Sequence, residues 1–310
     1  MNIFGPVPSR RLGRSLGINN IPPKICSYSC IYCQLGRTNK MQINREVFYS
    51  PEQIKKVVAD KLEDLKESRG DIDYLTFVAD GEPTLDSNLG KSIEELKDFN
   101  IDIAVITNSS LLNIKEVRDD LKKADLVSIK CDAIDNNIWE KVNRPQGELK
   151  LEKILKGIYE FSGNYSGKLI TETMLIKNYN DSEVYLNNTA DFLKDLDSEI
   201  SYLAIPTRPP AEKYVVPSDP EIITKAYHIF TKKNIKTEYL IGYEGNQFVS
   251  TGNIKKDLLS ITAVHPLKQE AVEKLLDQNN ENWEVIEQLI EEEKILKHHF
   301  DGDKYYIRCL

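Results

Sequence analysis

The sequence lacks the features that mark membrane-bound and secreted proteins. No long apolar run could span a bilayer, and the N-terminus lacks the apolar segment of a signal peptide. Only 5 of the 310 residues are cysteine, too few for a disulfide framework, which indicates a reducing compartment. These absences predict a cytoplasmic protein without a membrane segment. The remaining composition, 40% hydrophobic and 29% charged, is ordinary for a globular protein.

Three of the cysteines, Cys26, Cys30 and Cys33, lie in the run C-S-Y-S-C-I-Y-C. No fourth cysteine or histidine is near them, since the nearest histidine is His228. A structural zinc site uses four protein ligands, and iron–sulfur clusters are normally held by four thiolates. Three thiolates therefore predict a cluster with one iron left for a cofactor or substrate. A zinc knuckle and three structural thiols are the alternatives.

This spacing resembles the signature of the radical SAM (S-adenosylmethionine) superfamily. The resemblance implies that Cys26, Cys30 and Cys33 bind a [4Fe–4S] cluster and that SAM chelates the open iron. It further implies reductive cleavage of SAM to methionine and a 5′-deoxyadenosyl radical, followed by hydrogen abstraction from a substrate. An acidic electron donor such as a flavodoxin or ferredoxin is the implied partner. Tyr32, just before the last cysteine, matches the position near adenine.

A second similar segment is D-Y-L-T-F-V-A-D-G-E-P-T-L, from Asp73 to Leu85. It resembles the superfamily's strand that ends in Gly-Gly-Glu-Pro and holds the methionine ammonium. Gly81 and Glu82 match, whereas Asp80 replaces the first glycine. A buried ammonium needs acceptors, which a strand end supplies as backbone carbonyls, together with the Glu82 carboxylate if it points inward.

Three further positions follow from the same resemblance. Asn108 and Ser128 match polar positions around the ribose and the methionine carboxylate, and Ile205 matches a strand that presents its backbone to adenine. A turn-capping Asn, a surface Ser and a core Ile are the alternatives.

The flanking sequence is similar to the branch related to wyosine-base synthases, which modify guanosine in tRNA. The similar stretches are G-P-V-P-S-R-R-L-G-R-S-L-G-I-N from Gly5, the cysteine loop, G-E-P-T-L, Ile106–Ser110, Asn143–Pro145 and Ile205–Pro210. Those synthases carry a second cluster, whereas only Cys131 and Cys309 are left over here. The resemblance implies a tRNA nucleoside as a candidate substrate. A protein or peptide partner and small-molecule radical chemistry are the alternatives.

Strand and helix patterns alternate over residues 1–250. The strand candidates are Ser15–Asn19, Tyr74–Val78, Ile103–Thr107, Leu126–Lys130, Leu169–Ile176 and Tyr202–Ile205. One helix is predicted to begin at Ser50 and Pro51 and to end before Gly70, and another to open at Ser218–Glu221. This alternation predicts an α/β fold, a partial (βα)6 TIM-like barrel with its site at the C-terminal ends of the strands.

Several charged residues lie at these predicted strand ends. Lys130, Cys131 and Asp132 are weak catalytic candidates: Cys131 could donate a hydrogen atom, but a cysteine in a strand is more often a small buried hydrophobe. Arg144 and Arg208 each precede a proline and could bind an anionic substrate group over the barrel mouth. A surface salt bridge is the alternative for both.

The first 45 residues hold seven Lys or Arg and no Asp or Glu, although the whole chain carries a net charge of −8. Such a positive segment near the cluster loop would attract anionic partners, namely a nucleic acid, the SAM carboxylate or an acidic electron donor. Arg10 and Arg11 are therefore weak candidates for substrate binding. Structural pairing with the acidic remainder is the alternative.

Residues 253–310 are predicted to form a separate, winged-helix-like module. An apolar run at Leu258–Val264 precedes helices near Leu267–Gln278 and Asn282–Glu293 and a hairpin with its turn at Asp301–Gly302. A winged helix usually reads DNA with its second helix, but residues 257–310 hold six Lys or Arg against twelve Asp or Glu. We expect protein contact, dimerisation or covering of the barrel mouth instead. The sequence does not give the oligomeric state.

Overall fold

The computed structural model describes residues 2–65, 72–241, 253–262, 266–300 and 302–309. Gly70 and Asp301, predicted to lie past a helix end and in a turn, fall outside these ranges. The strands are β1 (Asn2–Ser9), β2 (Gly13–Asn19), β3 (Ile25–Cys26), β4 (Lys40–Met41), β5 (Tyr74–Phe77), β6 (Asp102–Thr107), β7 (Leu126–Lys130), β8 (Lys168–Met174), β9 (Ile200–Ala204), β10 (Thr237–Leu240), β11 (Leu267–Lys268), β12 (Ile295–Phe300) and β13 (Asp303–Arg308).

The helices are α1 (Pro51–Leu65), α2 (Leu89–Leu96), α3 (Lys115–Leu121), α4 (Asn136–Val142), α5 (Leu151–Ser162), α6 (Glu183–Leu193), α7 (Pro220–Lys232), α8 (Ile254–Thr262), α9 (Gln269–Gln278) and α10 (Glu284–Glu291). Short 3-10 helices cover Pro83–Leu85 and Lys97–Phe99. Within the described ranges, none of these helices combines the length and the apolar character that crossing a membrane requires.

Eight strands form one curled sheet in the order β1-β2-β5-β6-β7-β8-β9-β10. From β2 to β10 all neighbouring strands are parallel, and at least one helix lies in each connection. All six predicted strands are present, so the predicted α/β partial barrel is confirmed. Two strands were not predicted: β1 pairs antiparallel with β2 at one edge, and β10 forms the other edge.

Local sequence explains where the first helix begins. The Ser50 hydroxyl accepts a hydrogen bond from the Gln53 backbone N–H at 3.2 Å, and the Gln53 side chain accepts one from the Ser50 N–H at 2.9 Å. This reciprocal capping box fixes the start of α1 as predicted. Helix α7 begins at Pro220, with Asp219 at the cap position, and the Ser218 hydroxyl donates to Asp181 at 2.9 Å.

The barrel has an inner and an outer core. The outer core lies between the sheet and its helices and includes the large side chains Phe77, Phe161 and Phe230. The inner core lies on the concave face of the sheet and consists of Leu12, Ala104, Leu126, Ile170, Tyr202, Ala204 and Leu240. Leu12 comes from the connection between β1 and β2, so this hairpin tip packs inside the barrel below the strand ends. The upper part of the interior is left for the site.

The C-terminal segment has its own hydrophobic core and a three-stranded sheet in the order β11-β13-β12. The order of its elements is one helix, a strand, two helices and two strands, which includes both predicted helices and the predicted hairpin. The predicted apolar run is helical up to Thr262. The segment contacts the barrel through Val7 and through the Tyr305 hydroxyl, which donates to Thr207 O at 2.9 Å. Its winged-helix character stays a prediction.

Candidate active site

The three predicted cluster ligands face one cavity at the C-terminal ends of the barrel strands. The cavity measures about 290 Å³, and Cys26, Cys30 and Cys33 all line it. The loop that carries them follows β2 and is closed at its base by the parallel pair β3 and β4. The C-terminal end of α4 also holds it, since the Ile31 N–H donates to Val142 O at 3.0 Å.

The donor set that this loop offers consists of three cysteine thiols. In the part of the chain that the structure describes, no three His, Cys, Asp or Glu side chains lie close enough to share one metal ion. A zinc knuckle needs that close approach, whereas a [4Fe–4S] cluster binds each cysteine through a different iron. The three cysteines are free thiols, so the residues present fit a three-cysteine cluster.

Burial raises the pKa of all three thiols. The pKa of Cys30 rises to about 12, chiefly because its charged form is desolvated and because Asp132 is close. The pKa values of Cys26 and Cys33 are raised for the same first reason. Since iron binds the thiolate, loading the site must release these protons.

Two side-chain amides face the cysteine sulfurs. Asn108 Nδ2 lies 3.4 Å from Cys26 Sγ, and Asn143 Nδ2 lies 3.5 Å from Cys30 Sγ. Asn108 was predicted to lie near the ribose or the carboxylate of SAM, and it also lines the cavity. Asn143 lies in the segment Asn143–Pro145, for which the sequence offered only a family resemblance. It caps the C-terminal end of α4, and no spacing rule links it to Cys30.

The strand end at Gly81 runs directly against the cysteine loop. A Cβ atom on Gly81 would lie 1.8 Å from Ile25 O, so no other residue fits without moving the backbone. The Glu82 N–H donates to the same Ile25 oxygen at 3.2 Å. The glycine therefore allows the predicted strand end and the predicted cluster loop to share one wall of the cavity.

Glu82 is fully buried, and its carboxylate ties β5 to β6. Oε1 accepts from the Thr84 N–H and hydroxyl at 3.1 and 2.6 Å and from the Thr107 hydroxyl at 2.6 Å. Oε2 accepts from the Asn108 N–H at 2.7 Å. Burial raises the pKa of Glu82 although these donors oppose the shift. The capacity left for a ligand lies on Oε2.

Charged side chains of β7 and β8 line the opposite wall. Lys130 Nζ lies 2.6 Å from Glu172 Oε1, and Arg11 forms a salt bridge with Glu172 Oε2. Burial alone would raise the pKa of Glu172, but the two cations lower it to about 2. The same carboxylate raises the pKa of Lys130 against its burial. Sequence reasoning missed Glu172; its signal was a carboxylate in the middle of a strand that is buried from Leu169 to Thr173.

Tyr32 and Ile205, which were predicted to lie near adenine, both line the cavity. Lys130 Nζ stands 5.1 Å from the centre of the Tyr32 ring, and the Tyr32 hydroxyl donates to Asp132. Arg208 also lines the cavity and donates to Gln34 Oε1 at 2.8 Å.

Other candidates lie outside the residues that line the cavity. Ser128 and Cys131 are buried in the core, and Asp132 lies behind Tyr32. Cys131 contacts the outer hydrophobic core, as a small buried hydrophobe would. Arg10 is exposed and points to Tyr239 O at 3.5 Å. Arg144 forms a salt bridge with Glu212, which is the alternative weighed for it above.

The positive N-terminal segment is largely neutralised within the fold. Arg11 pairs with Glu172, Arg37 with Glu212, Arg45 with Asp120 and Lys40 with Glu46. Arg11 therefore pairs structurally, which is the alternative to substrate binding. The number of basic residues in this segment overstates the positive field that an anionic partner would meet.

Comparisons with known proteins agree with this geometry. The profile of the Radical SAM superfamily matches residues 20–187. A UPF0026 protein from Methanocaldococcus jannaschii is 49% identical over 98% of this chain and 95% of its own length. A radical SAM methyltransferase structure from Sphaerobacter thermophilus superposes with a TM-score of 0.57 at 15% identity, over 73% of this chain and 66% of that one. SuiB from Streptococcus suis, bound to S-adenosylmethionine, gives 0.54 at 12% identity, over 74% of this chain and 51% of that one. At these identities the two structures show the fold alone.

Proposed function

Because the chain belongs to the Radical SAM superfamily, we propose that Cys26, Cys30 and Cys33 hold its [4Fe–4S] cluster and that the wall at Gly81–Glu82 receives the methionine end of SAM. The observation that carries this proposal is the meeting of three thiols and that strand end in one cavity. Tyr32 and Ile205 then flank the adenine, and Asn108 lies between the sulfurs and Glu82.

A reduced [4Fe–4S] cluster held by Cys26, Cys30 and Cys33 would supply the one electron for reductive cleavage of SAM, and hence the radical that would take a hydrogen atom from the substrate. The protein's own part is to bind and to shield. Glu82 and the backbone at Gly81 offer acceptors to the ammonium, while the cations Lys130 and Arg208 line the same cavity. The inner core forms an apolar floor below the cavity, since Ala204 and Leu240 belong to both.

Anaerobic reconstitution with iron and sulfide tests the cluster and the cleavage. We expect an iron-loaded protein that forms 5′-deoxyadenosine when SAM and a strong reductant are present. Cys30→Ala should lose both properties, whereas Cys309→Ala, in β13's C-terminal flank, should keep them. Colourless protein with stoichiometric zinc would contradict the proposal and favour a zinc-binding interaction module.

For the substrate we propose a tRNA nucleoside, supported by the stretches similar to wyosine-base synthases. The salt bridges of the N-terminal arginines weaken the charge argument for it. A protein partner is the second candidate, because the acidic C-terminal segment contacts Thr207, which lines the cavity. Small-molecule chemistry is the third.

Comparison of RNA nucleosides from cells with and without the gene separates these substrates. Loss of one modified nucleoside would support a tRNA substrate. The amount of tRNA that the protein retains in a pull-down should then fall steeply as the salt concentration rises. Recovery of a single protein in the pull-down, in an amount that does not depend on salt, would favour a protein partner as the substrate. For the electron donor we propose an acidic flavodoxin or ferredoxin, supported by Lys24, a cation that precedes the cysteine loop and lines the cavity.

A further inference from the structure

We propose that the side-chain amides of Asn108 and Asn143 are tuning residues that raise the reduction potential of the cluster. This inference rests on the proposed cluster ligands. Each amide points its nitrogen at a different cysteine sulfur, at 3.4 Å from Cys26 and 3.5 Å from Cys30. The two residues come from different elements, the strand end after β6 and the end of α4, so the two contacts are independent.

The orientation of the Asn108 amide is fixed by its neighbours. Its Oδ1 accepts a hydrogen bond from the Ser110 N–H at 2.9 Å, which only an oxygen can do. The Nδ2 group must therefore face the other way, toward Cys26 Sγ and toward Ser27 Oγ at 3.0 Å. Its backbone is held as well, since the Asn108 N–H donates to Glu82.

The Asn143 amide is fixed by a buried carboxylate. Nδ2 donates to Asp132 Oδ2 at 2.8 Å, and a carboxylate oxygen is an acceptor, so the nitrogen lies on this side. Asp132 is held by the Met174 N–H at 2.9 Å and by the Tyr32 hydroxyl. The second hydrogen of the same nitrogen is then directed at Cys30 Sγ. Asp132, a weak catalytic candidate from the sequence, is thus a positioning residue that acts through Asn143.

Reduction adds one negative charge that is shared by the cluster and its sulfurs. An N–H dipole aimed at a sulfur stabilises the reduced form more than the oxidised form, and such hydrogen bonds are among the known determinants of cluster potentials. A hydrogen bond to a charged group is stronger than one between neutral groups. Loss of one amide donor should therefore shift the balance between the two forms measurably.

The test uses the full chain with its reconstituted cluster, in the absence of SAM, and measures the midpoint potential by EPR-monitored titration. Asn143→Leu should lower the ratio of reduced to oxidised cluster at a fixed solution potential about tenfold, a shift of about 59 mV for one electron. Asn108→Leu should act similarly, and the double variant should add the two shifts. The control is Asn188→Leu on α6, which is exposed and should leave the potential unchanged.

If a variant does not load iron, wild-type protein labelled with ¹⁵N-asparagine supplies a second readout. Pulsed EPR of the reduced cluster should then detect ¹⁵N coupling from these amides. Unchanged potentials in iron-loaded variants, or no such coupling in the wild type, would overturn the inference while leaving the proposed function intact. A wild-type chain that takes up no iron would instead overturn the proposed function itself.

Discussion

Gly81 has only a hydrogen atom as its side chain, which lets the strand end approach Ile25 closely. We expect Gly81→Ala to push the strand end away from Ile25, since the added methyl would lie 1.8 Å from a backbone oxygen. Overpacking of this kind costs about 1–3 kcal/mol of unfolding free energy. Denaturant unfolding and iron content after reconstitution measure the effect.

Gly147→Ala is the matched control for this substitution. An added Cβ at Gly147 meets no atom within 4 Å, so stability and iron content should not change. Equal behaviour of the two variants would show that the contact at Ile25 does not position the cysteine loop.

Asp80 makes stability depend on pH. Burial raises the pKa of Asp80 from its ordinary 3.8 to about 7, although Lys24 and Arg308 oppose the shift. The folded protein therefore holds this proton more tightly than the unfolded chain. Its contribution is full below about pH 4 and is lost as the pH rises through about 7, by about 4 kcal/mol at most.

Asp80→Asn removes this dependence. In thermal unfolding, the stability of the variant relative to the wild type should rise from pH 4 to pH 8, with little difference near pH 4. Asp195→Asn, at an exposed position, is the control and should follow the wild type at every pH. A constant difference between Asp80→Asn and the wild type would mean that this carboxyl does not titrate in that range.

The sequence revealed residues of the site where a spacing rule, a family resemblance or a strand end pointed to them. Cys26, Cys30 and Cys33 were predictable because their thiols lie on one short loop. Glu172 and Asn143 were not, since their partners are brought close by barrel closure rather than by chain proximity. Ser128 was placed by resemblance, but strand alternation alone does not tell how deep below the cavity an inward residue lies.

At the scale of elements, Glu172 joins β7, β8 and the hairpin between β1 and β2. Its side chain is 7% exposed and pairs with Lys130 and Arg11. Glu172→Gln would leave both cations without that carboxylate, and breaking a buried pair costs about 3–5 kcal/mol. Denaturant unfolding at neutral pH measures this loss.

The exposed ion pair of Glu95 with Lys55 supplies the comparison. Glu95→Gln removes a pair at 2.9 Å on the surface, where such pairs contribute about 0–1 kcal/mol. The effect of Glu172→Gln should also shrink as the pH falls from about 4.5 toward 2, because the pKa of Glu172 is lowered and its ionised form stabilises only above that range. Similar losses for both variants would contradict the role given to the buried network.

The elements that the sequence predicted are those with a clear apolar period. Each of the six central strands contains buried apolar residues, and at least one helix lies in each connection between them. Strand β1 was missed because it contains Pro6 and Pro8, which are tolerated only because it forms an edge of the sheet. Strand β10 has four residues, two of them charged or polar, and only its pairing with β9 makes it a strand.

At the scale of the whole molecule, the C-terminal segment supports the cavity through Tyr305. We expect Tyr305→Phe to free the Thr207 carbonyl, to cost about 1 kcal/mol of unfolding free energy and to weaken SAM binding by the reconstituted protein. Denaturant unfolding and equilibrium dialysis with SAM measure the two effects. Tyr306→Phe is the control, because Tyr306 packs in the C-terminal segment's own core. Equal SAM affinity in both variants would show that the C-terminal segment does not support SAM binding.

The hairpin tip that carries Leu12 closes the bottom of the barrel, because it packs against the inner faces of β6 to β10. That floor leaves the cavity at the strand ends as the space for a ligand. A bulky second reactant bound over the cavity would cover any molecule that had bound before it. Under the proposed function, the sulfonium compound would therefore have to bind before a bulky substrate.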